Sequence, residues 1–182
     1  MYKIENKLIK LCRKGNQKAQ MQLYDNYCQA MFTIACRYSQ NKEDAKDAMQ
    51  EGFLKAFLKI ETYNPEATFG AWLKRIVINQ CLDERRKKQL KFTNDEISEL
   101  QIVNEEDWSF DFQISKSEII DAISQLNEKH KIVVTLYLIE GYDHEEISQI
   151  LQIPVKTSRT HLRRGKLKLQ DLLKQKYDAA RY

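Results

Sequence analysis

Basic and hydroxyl side chains near the C-terminus are suited to binding nucleic acid. Between Lys156 and Lys176 the sequence has eight lysines or arginines and a single acid. If this segment is a helix, Val155, Leu162 and Leu169 keep one face for the core. The candidate DNA contacts on the rest of the helix are Lys156, Thr157, Arg159, Thr160, Arg163 and Arg164. Such residues neutralise phosphates and reach guanine edges in the major groove, although a solvated basic face is the alternative.

A second group of residues, in the first half of the chain, has the composition of a single-strand site. The segment Thr62–Thr68 predicts a loop because a proline interrupts it. Tyr63 and Asn64 begin this loop, and Asn79 and Asp83 lie four residues apart on the helix predicted to follow. The cations that could hold its phosphates are Lys74, Arg75, Arg85 and Arg86. Aromatics combined with cations are typical of single-strand binding, but Tyr63 suits the core equally well.

A third group lies on one face of the helix predicted to begin at Asn41. The apolar residues of this helix, including Ala45, Met49 and Phe53, are spaced to form one buried stripe. The residues off that stripe are Asp44, Asp47, Gln50, Glu51, Leu54 and Lys55. Leu54 is apolar among them, which favours a protein interface over a purely solvated helix face.

Helix-ending and helix-starting residues before the basic segment predict how it is positioned. Gly141 suits a left-handed C-cap, and Asp143 and Glu146 have the spacing of a capping box. The run Gln152-Ile153-Pro154 then predicts a tight turn. Two short helices joined by a tight turn, with the second one basic, predict a DNA-binding helix-turn-helix.

The composition favours an all-α fold with two small helical domains. The 182 residues include only 5 Gly and 2 Pro, and apolar residues recur at spacings of three and four. From Thr93 to Glu118 there are eight acidic residues and one basic residue. We therefore expect domains at 1–91 and 114–182, joined by an acidic linker at 92–113. Phe69 and Trp72 are predicted to lie in the core of the first domain.

Other classes of function lack the residues they need. His130, His144 and His161 do not group with cysteines or carboxylates at metal-ligand spacing, and no phosphate loop or nucleophile motif is present. We therefore expect no enzyme activity, no metal and no cofactor. The N-terminus lacks the apolar core of a signal peptide and no run is long enough to span a membrane, which predicts a cytoplasmic protein without membrane insertion. The four cysteines are expected to be buried free thiols.

Two parts of the chain together resemble one protein family. The stretches DAKDAMQEGFLKAFLKI and TYNPEATFGAWLKRIVINQCLDERRK resemble region 2 of the bacterial extracytoplasmic-function (ECF) sigma factors, and the predicted helix-turn-helix resembles their region 4. The two matches cover nearly the whole chain, in the family's order and spacing. The resemblance implies a factor that binds core RNA polymerase and directs promoter-specific transcription initiation, including promoter melting.

The resemblance also implies a partner for each group of residues. The face containing Leu54 would grip the clamp helices of the largest polymerase subunit. The Tyr63 loop and the next helix would recognise and melt the minus-ten element, and the basic helix would bind the minus-thirty-five element. The polymerase flap and an anti-sigma factor are further implied partners. The main alternative is a helix-turn-helix regulator that acts on a polymerase already carrying another sigma factor.

Several positions depart from the family's usual pattern. Gln152 and Lys156 stand where glycine is common, and Ser158 replaces a usual valine. Arg163 and Gly165 also alter the helix predicted to read DNA. These changes leave the fold expectation intact, but they prevent the promoter sequence from being read from the protein sequence.

Overall fold

The computed structural model describes residues 2–89 and 114–179, and these form two compact units. The regular elements within the described ranges are helical, which confirms the all-α prediction. The segment predicted as an acidic linker, 92–113, lies outside the described residues. In the described parts of the chain, no helix combines the length and the apolar character needed to cross a membrane.

Four α-helices and a short 3-10 turn build the first unit. They are α1 (Tyr2–Arg13), α2 (Gln17–Tyr38), α3 (Lys42–Leu58), the 3-10 turn Ile60–Thr62, and α4 (Phe69–Gln89). Asn16 and Asn41 begin α2 and α3, and their side-chain oxygens accept hydrogen bonds from the amides of Ala19 and Asp44. These caps satisfy amide donors that a helix leaves unpaired in its first turn, which explains where the two helices start.

The core of the first unit lies between α2, α3 and α4. Leu23, Phe53, Phe69 and Leu73 are all 2% exposed or less. Gly52 allows α3 to approach α4 closely, because a Cβ added there would lie 2.8 Å from Cγ2 of Val77. A glycine inside a helix costs about 1 kcal/mol relative to alanine, and here the close packing of the two helices offsets that cost.

The cysteines follow the burial prediction only in part. All four are free; Cys12 and Cys81 are buried and Cys28 is half-buried. Cys36 is exposed, so the expectation of a buried thiol is wrong there. Burial raises the pKa of the Cys81 thiol to about 11, which keeps it protonated at neutral pH.

The second unit contains the predicted helix-turn-helix. Its elements are α5 (Lys116–Ser124), α6 (Glu128–Val134), a π-helical turn (Thr135–Ile139), α7 (His144–Leu151) and α8 (Val155–Ala179). Asp143 and Glu146 form the predicted capping box at the start of α7. The α-helix α6 widens into the π-helical turn before Gly141. Gly141 itself has a φ of +79°, as expected for a left-handed end.

Two backbone features fix the path from α6 to α8. Gln152 ends α7 in the left-handed region, with φ +56°, so a residue with a Cβ carries the turn where a glycine is common in the family. Gly165 lies inside α8, and a Cβ added there would be 2.4 Å from Cγ2 of Val134. The helix that carries the basic residues therefore packs tightly against α6.

Candidate functional site

The basic residues predicted to contact DNA share one side of α8. Lys156 and Arg159 are exposed, and the remaining four are partly exposed: Thr157, Thr160, Arg163 and Arg164. Leu162 and Leu169 are buried on the opposite side of the helix. The Thr160 hydroxyl donates to the carbonyl oxygen of Lys156 at 2.9 Å, so it is already engaged within the helix. The cations and Thr157 are therefore more available to a nucleic acid than Thr160.

A polar contact between α7 and α8 was missed by sequence reasoning. Nδ1 of His144 lies 2.9 Å from Oγ of Ser158, and Ser158 is fully buried. Burial and the nearby positive charge of Arg159 lower the pKa of His144, so the neutral ring is favoured. The hydroxyl of Ser148 donates to the carbonyl of Ile153 at 2.6 Å and ties α7 to the following turn. These contacts connect α7 to α8 and to the turn between them.

Tyr63, in the loop after the 3-10 turn, is buried, contrary to the prediction that its ring contacts a base. Its side chain is only 6% exposed, and its ring lies 5.6 Å from Phe69 and 5.5 Å from Trp72, measured between centroids. The Tyr63 hydroxyl donates to the carbonyl oxygen of Ala67 at 2.8 Å. Tyr63 therefore packs beneath the loop, because burying an aromatic ring against two others is favourable, and it does not offer its ring to a base.

The rest of the loop faces outward. Asn64 is exposed; its amide donates to Oε2 of Glu66 at 2.7 Å, and its side-chain oxygen accepts from the Glu66 amide at 3.2 Å. The Thr68 hydroxyl oxygen accepts a hydrogen bond from the backbone amide of Ala71 and so caps the start of α4. The loop is a short turn, and Asn64 and Glu66 are polar groups on its outer side.

The polar pair and the cations predicted on α4 are partly exposed. Asn79 and Asp83 are partly exposed and one helical turn apart, and Asp83 accepts from Nη1 of Arg86 at 3.2 Å. Lys74 and Arg75 are also partly exposed.

Arg85, predicted to hold a phosphate, also contacts the backbone of α2. Its Nη1 donates to the carbonyl oxygen of Tyr38 at 3.0 Å, and burial lowers the pKa of its guanidinium. Carbonyls at a helix C-terminus lack partners within the helix, so a charged donor there is stabilising. Arg85 fastens α4 to the end of α2 through Nη1, and its role in binding phosphate stays a prediction.

The α3 residues predicted to bind a partner lie on an exposed or partly exposed side of the helix, and this side also includes Leu58. Asp47, Gln50, Glu51 and Leu54 are exposed, whereas Asp44 and Lys55 are partly exposed. Leu54 is 57% exposed, and Leu58, one turn later on the same face, is 85% exposed. The sequence signal for Leu58 was its spacing of four from Leu54. We call Asp47, Gln50, Glu51, Leu54 and Leu58 the α3 face.

Two histidines lie together in the second unit. The rings of His130 on α6 and His161 on α8 are 5.5 Å apart between centroids. Burial lowers the pKa of both, and the positive charges of Lys129 and Arg164 act in the same direction. Among the described residues, no three histidine, cysteine or carboxylate side chains are grouped to hold a metal ion.

Comparisons with known families match both units. The model for Sigma-70 region 2 matches residues 23–91, and the model for Sigma-70, region 4 matches residues 116–169. The first match contains the α3 face, the loop and α4, and the second contains the helix-turn-helix. The fold and its surfaces thus define a sigma factor with these two regions.

Relatives along nearly the whole chain define the subfamily. The ECF RNA polymerase sigma factor SigW of Bacillus subtilis is 31% identical over 180 residues, covering 92% of this chain and 96% of the relative. The ECF RNA polymerase sigma-E factor of Haemophilus influenzae is 27% identical over 170 residues, covering 87% and 89%. The chain belongs to the ECF sigma factors, and it directs transcription initiation by RNA polymerase.

Two solved structures have the same fold. CnrH in complex with the cytosolic domain of CnrY aligns with a TM-score of 0.54 at 23% identity, covering 92% of this chain and 96% of the other. The sigma factor RpoE of Bartonella quintana, in complex with the anti-sigma factor NepR, aligns with a TM-score of 0.56 at 22% identity, covering 85% and 96%.

Proposed function

We propose that the two units divide the work of initiation. The first unit binds core polymerase through the α3 face and opens the minus-ten element with its loop and α4. The second unit reads the minus-thirty-five element with α8. The observation that carries this proposal is the separation of surface types: an exposed apolar stripe on α3 and an exposed basic side on α8.

The α3 face is suited to a protein partner. The side chains of Leu54 and Leu58 expose apolar surface to water. Binding a protein partner would remove that surface from water, which is favourable. Acidic and amide groups surround them and can form the polar rim of such an interface. We assign this face to the clamp helices of the largest polymerase subunit. We assign the polymerase flap to the second unit.

We assign promoter melting to the exposed and partly exposed polar residues of the loop and α4. A base that leaves the stack must be compensated by new contacts to its edge. Asn79, Asp83 and Asn64 offer donors and acceptors for that edge, while Lys74, Arg75 and Arg86 can neutralise the phosphates beside it. Tyr63 supports this site from below by fixing the loop.

Upstream recognition falls to α8, placed in the major groove as the second helix of a helix-turn-helix. Arg159, Arg163 and Arg164 are the candidates for bidentate contacts to guanine, and Lys156 and Thr157 for contacts to phosphate. The hydrogen-bonding contact between His144 of α7 and the buried Ser158 of α8 supports this placement, because it joins the two helices of the motif.

We also propose a regulatory partner and a cellular location for this chain. Of the solved structures named above, CnrH is in complex with the cytosolic domain of CnrY, and RpoE is in complex with the anti-sigma factor NepR. We propose that an anti-sigma factor also binds this chain, and that it acts in the cytoplasm, by binding rather than by catalysis. Residues 92–113 would connect domains 1–91 and 114–182 as an acidic tether.

Reconstituted transcription tests the proposed function. The purified protein and core polymerase free of any sigma factor are incubated with a library of genomic DNA fragments. Discrete transcripts from a small set of fragments are expected, since a sigma factor supplies start-site selection that core polymerase lacks. Specific transcripts that appear only after a second sigma factor is added would show a helix-turn-helix regulator instead.

A further inference from the structure

The end of α1 reaches across the first unit to the loop. Arg13, the last residue of α1, donates from Nη2 to the carbonyl oxygen of Tyr63 at 2.8 Å. Its Nε lies 3.4 Å from the carbonyl oxygen of Ile60 and 3.7 Å from Oε2 of Glu61. One guanidinium therefore contacts both the 3-10 turn and the first residue of the loop, 47 and 50 residues away in the chain.

The loop is fixed at its first residue from two sides. Arg13 holds the Tyr63 carbonyl, and the Tyr63 hydroxyl holds the carbonyl of Ala67 at the other end of the loop. Between these two hydrogen bonds lie Asn64 and Glu66, whose side chains are bonded to each other and exposed. The position of Asn64 thus depends on a side chain from α1.

The contact is of a kind that orders a loop. The Ile60 carbonyl already accepts from the backbone amide of Tyr63 at 3.3 Å, so the contact that orders the loop is the one from Arg13 to the Tyr63 carbonyl. A charged donor makes a stronger hydrogen bond than a neutral one. By contrast, the ion pair with Glu61 is exposed and is expected to contribute little, since that carboxylate side chain is 70% exposed. Arg13 also lies before residue 23, where the match to region 2 begins, so the family comparison assigns it no role.

We propose that Arg13 is a positioning residue for promoter opening. Resting on the melting role proposed above, it holds the loop so that Asn64, together with Asn79 and Asp83, meets the displaced base. Arg13 does not touch the base itself; it acts through the backbone of Tyr63. Losing it leaves a loop that must be ordered each time a base is captured, and this ordering has an entropic cost.

Opening kinetics of the complete holoenzyme test this role. The full-length Arg13→Ala, Arg13→Lys, Lys14→Ala and Glu61→Gln variants are each bound to core polymerase on a promoter recovered in the transcription experiment. Arg13→Ala should slow open-complex formation about ten-fold, given the usual strength of hydrogen bonds from charged donors. Arg13→Lys should recover part of the rate. Lys14→Ala removes a charge from the same helix end, and Glu61→Gln removes only the ion pair, so both should open DNA at nearly the wild-type rate.

The preference for particular bases during opening distinguishes a role of Arg13 in positioning the loop from a role in stabilising the fold. Each unpaired base of the promoter is replaced in turn, and the ratio of opening rates for preferred and replaced bases is measured. Arg13→Ala should reduce this ratio at one position, while its melting temperature and core-polymerase affinity stay close to wild type. An unchanged ratio, or a loss explained by a lower melting temperature that Arg13→Lys does not restore, would overturn the proposal.

The same measurements separate this proposal from the proposed function. If Asn79→Ala impairs opening but Arg13→Ala does not, the melting site stands and the role of Arg13 is wrong. If the wild-type protein yields no specific transcript with core polymerase, the proposed function itself fails.

Discussion

Arg159 and Arg163 lie on the same side of α8, away from the leucines that hold this helix to its unit. We expect Arg159→Ala and Arg163→Ala each to weaken holoenzyme binding to a matched upstream element by about 1–3 kcal/mol, the usual value of a bidentate base contact. Lys176→Ala, at the far end of the same helix, is the charge-matched control. Binding to matched and scrambled elements is compared; equal losses on both would mean that the arginines contact phosphate only.

Asn79 and Asp83 present polar groups one turn apart on α4. Replacing both with alanine should slow open-complex formation on a duplex promoter, because the captured base loses its hydrogen-bonding partners. A promoter with a pre-melted minus-ten region should recover only part of the rate, since the site also contacts the unpaired base. Permanganate reactivity of the unpaired thymines measures this. Asp25→Ala, which removes an exposed acid from α2, is the control, and normal opening on both templates would contradict the assignment.

The histidines of the second unit predict a pH dependence of stability. The pKa values of His130, His144 and His161 are lowered from 6.5, mainly by burial. The unfolded chain therefore takes up protons more readily than the folded one as pH falls below about 6.5. The free energy of unfolding should be level above this pH and decrease from pH 6.5 to 5.5. Urea titrations at several pH values measure it, and His161→Gln should flatten the slope; an unchanged slope in that variant would exclude His161 as a contributor.

At the scale of the elements, α3 has one side buried in the core and one side exposed to solvent. Ala45, Ala48, Met49 and Phe53 are buried on one side, while the α3 face is exposed on the other. Changes confined to that face should therefore alter partner binding without altering the fold. Partner binding and the stability of the fold can therefore be measured separately in variants of this helix.

Combining Asp47→Lys, Gln50→Ala and Leu54→Ala should abolish core-polymerase binding. Helical content and melting temperature should remain nearly unchanged, because surface substitutions away from special features rarely change stability by more than about 0.5 kcal/mol. Leu58→Ala alone should weaken binding, because it removes the most exposed apolar side chain of the face. Met21→Ala is the matched control, since Met21 on α2 is 62% exposed. Retained binding in the triple variant would remove the α3 face from the proposed interface.

The elements also show what the sequence can and cannot predict. The starts of α2, α3 and α7 were predictable because Asn16, Asn41 and Asp143 cap them through local hydrogen bonds. The contacts of Tyr63 and Arg85 were not, because Tyr63 packs on Phe69 and Trp72 across a turn that helical periodicity does not describe, and Arg85 bonds to a residue distant in the sequence. Arg85, for example, bonds to a carbonyl 47 residues away. A polar residue that contacts the backbone of another helix gives no signal in a periodic pattern.

At the scale of the whole molecule, each compact unit carries a different proposed DNA contact. The tether predicted at 92–113 could span at most roughly 75–80 Å when extended, so two separated promoter elements lie within its reach. Joining the units raises the effective concentration of one at its site once the other has bound.

Fragments 1–92 and 112–182, mixed but not joined, should therefore support specific transcription far less well than the intact chain. Transcript yield is measured at equal concentrations of both fragments, and circular dichroism checks that each fragment is helical. Raising the concentration of the second fragment should restore part of the yield, as expected if the tether acts by proximity. Full activity of the unjoined fragments at low concentration would show that the tether is dispensable.

The two sides of α8 have a consequence for how such proteins diverge after gene duplication. Gly165 faces Val134 so closely that even one added methyl group must displace its neighbour, so this side of the helix is constrained by packing. Arg159 and Arg163 face away from the core and carry no such constraint. A duplicated copy can therefore acquire a new set of target promoters through a few outward substitutions, while the inward residues preserve the helix-turn-helix that presents them.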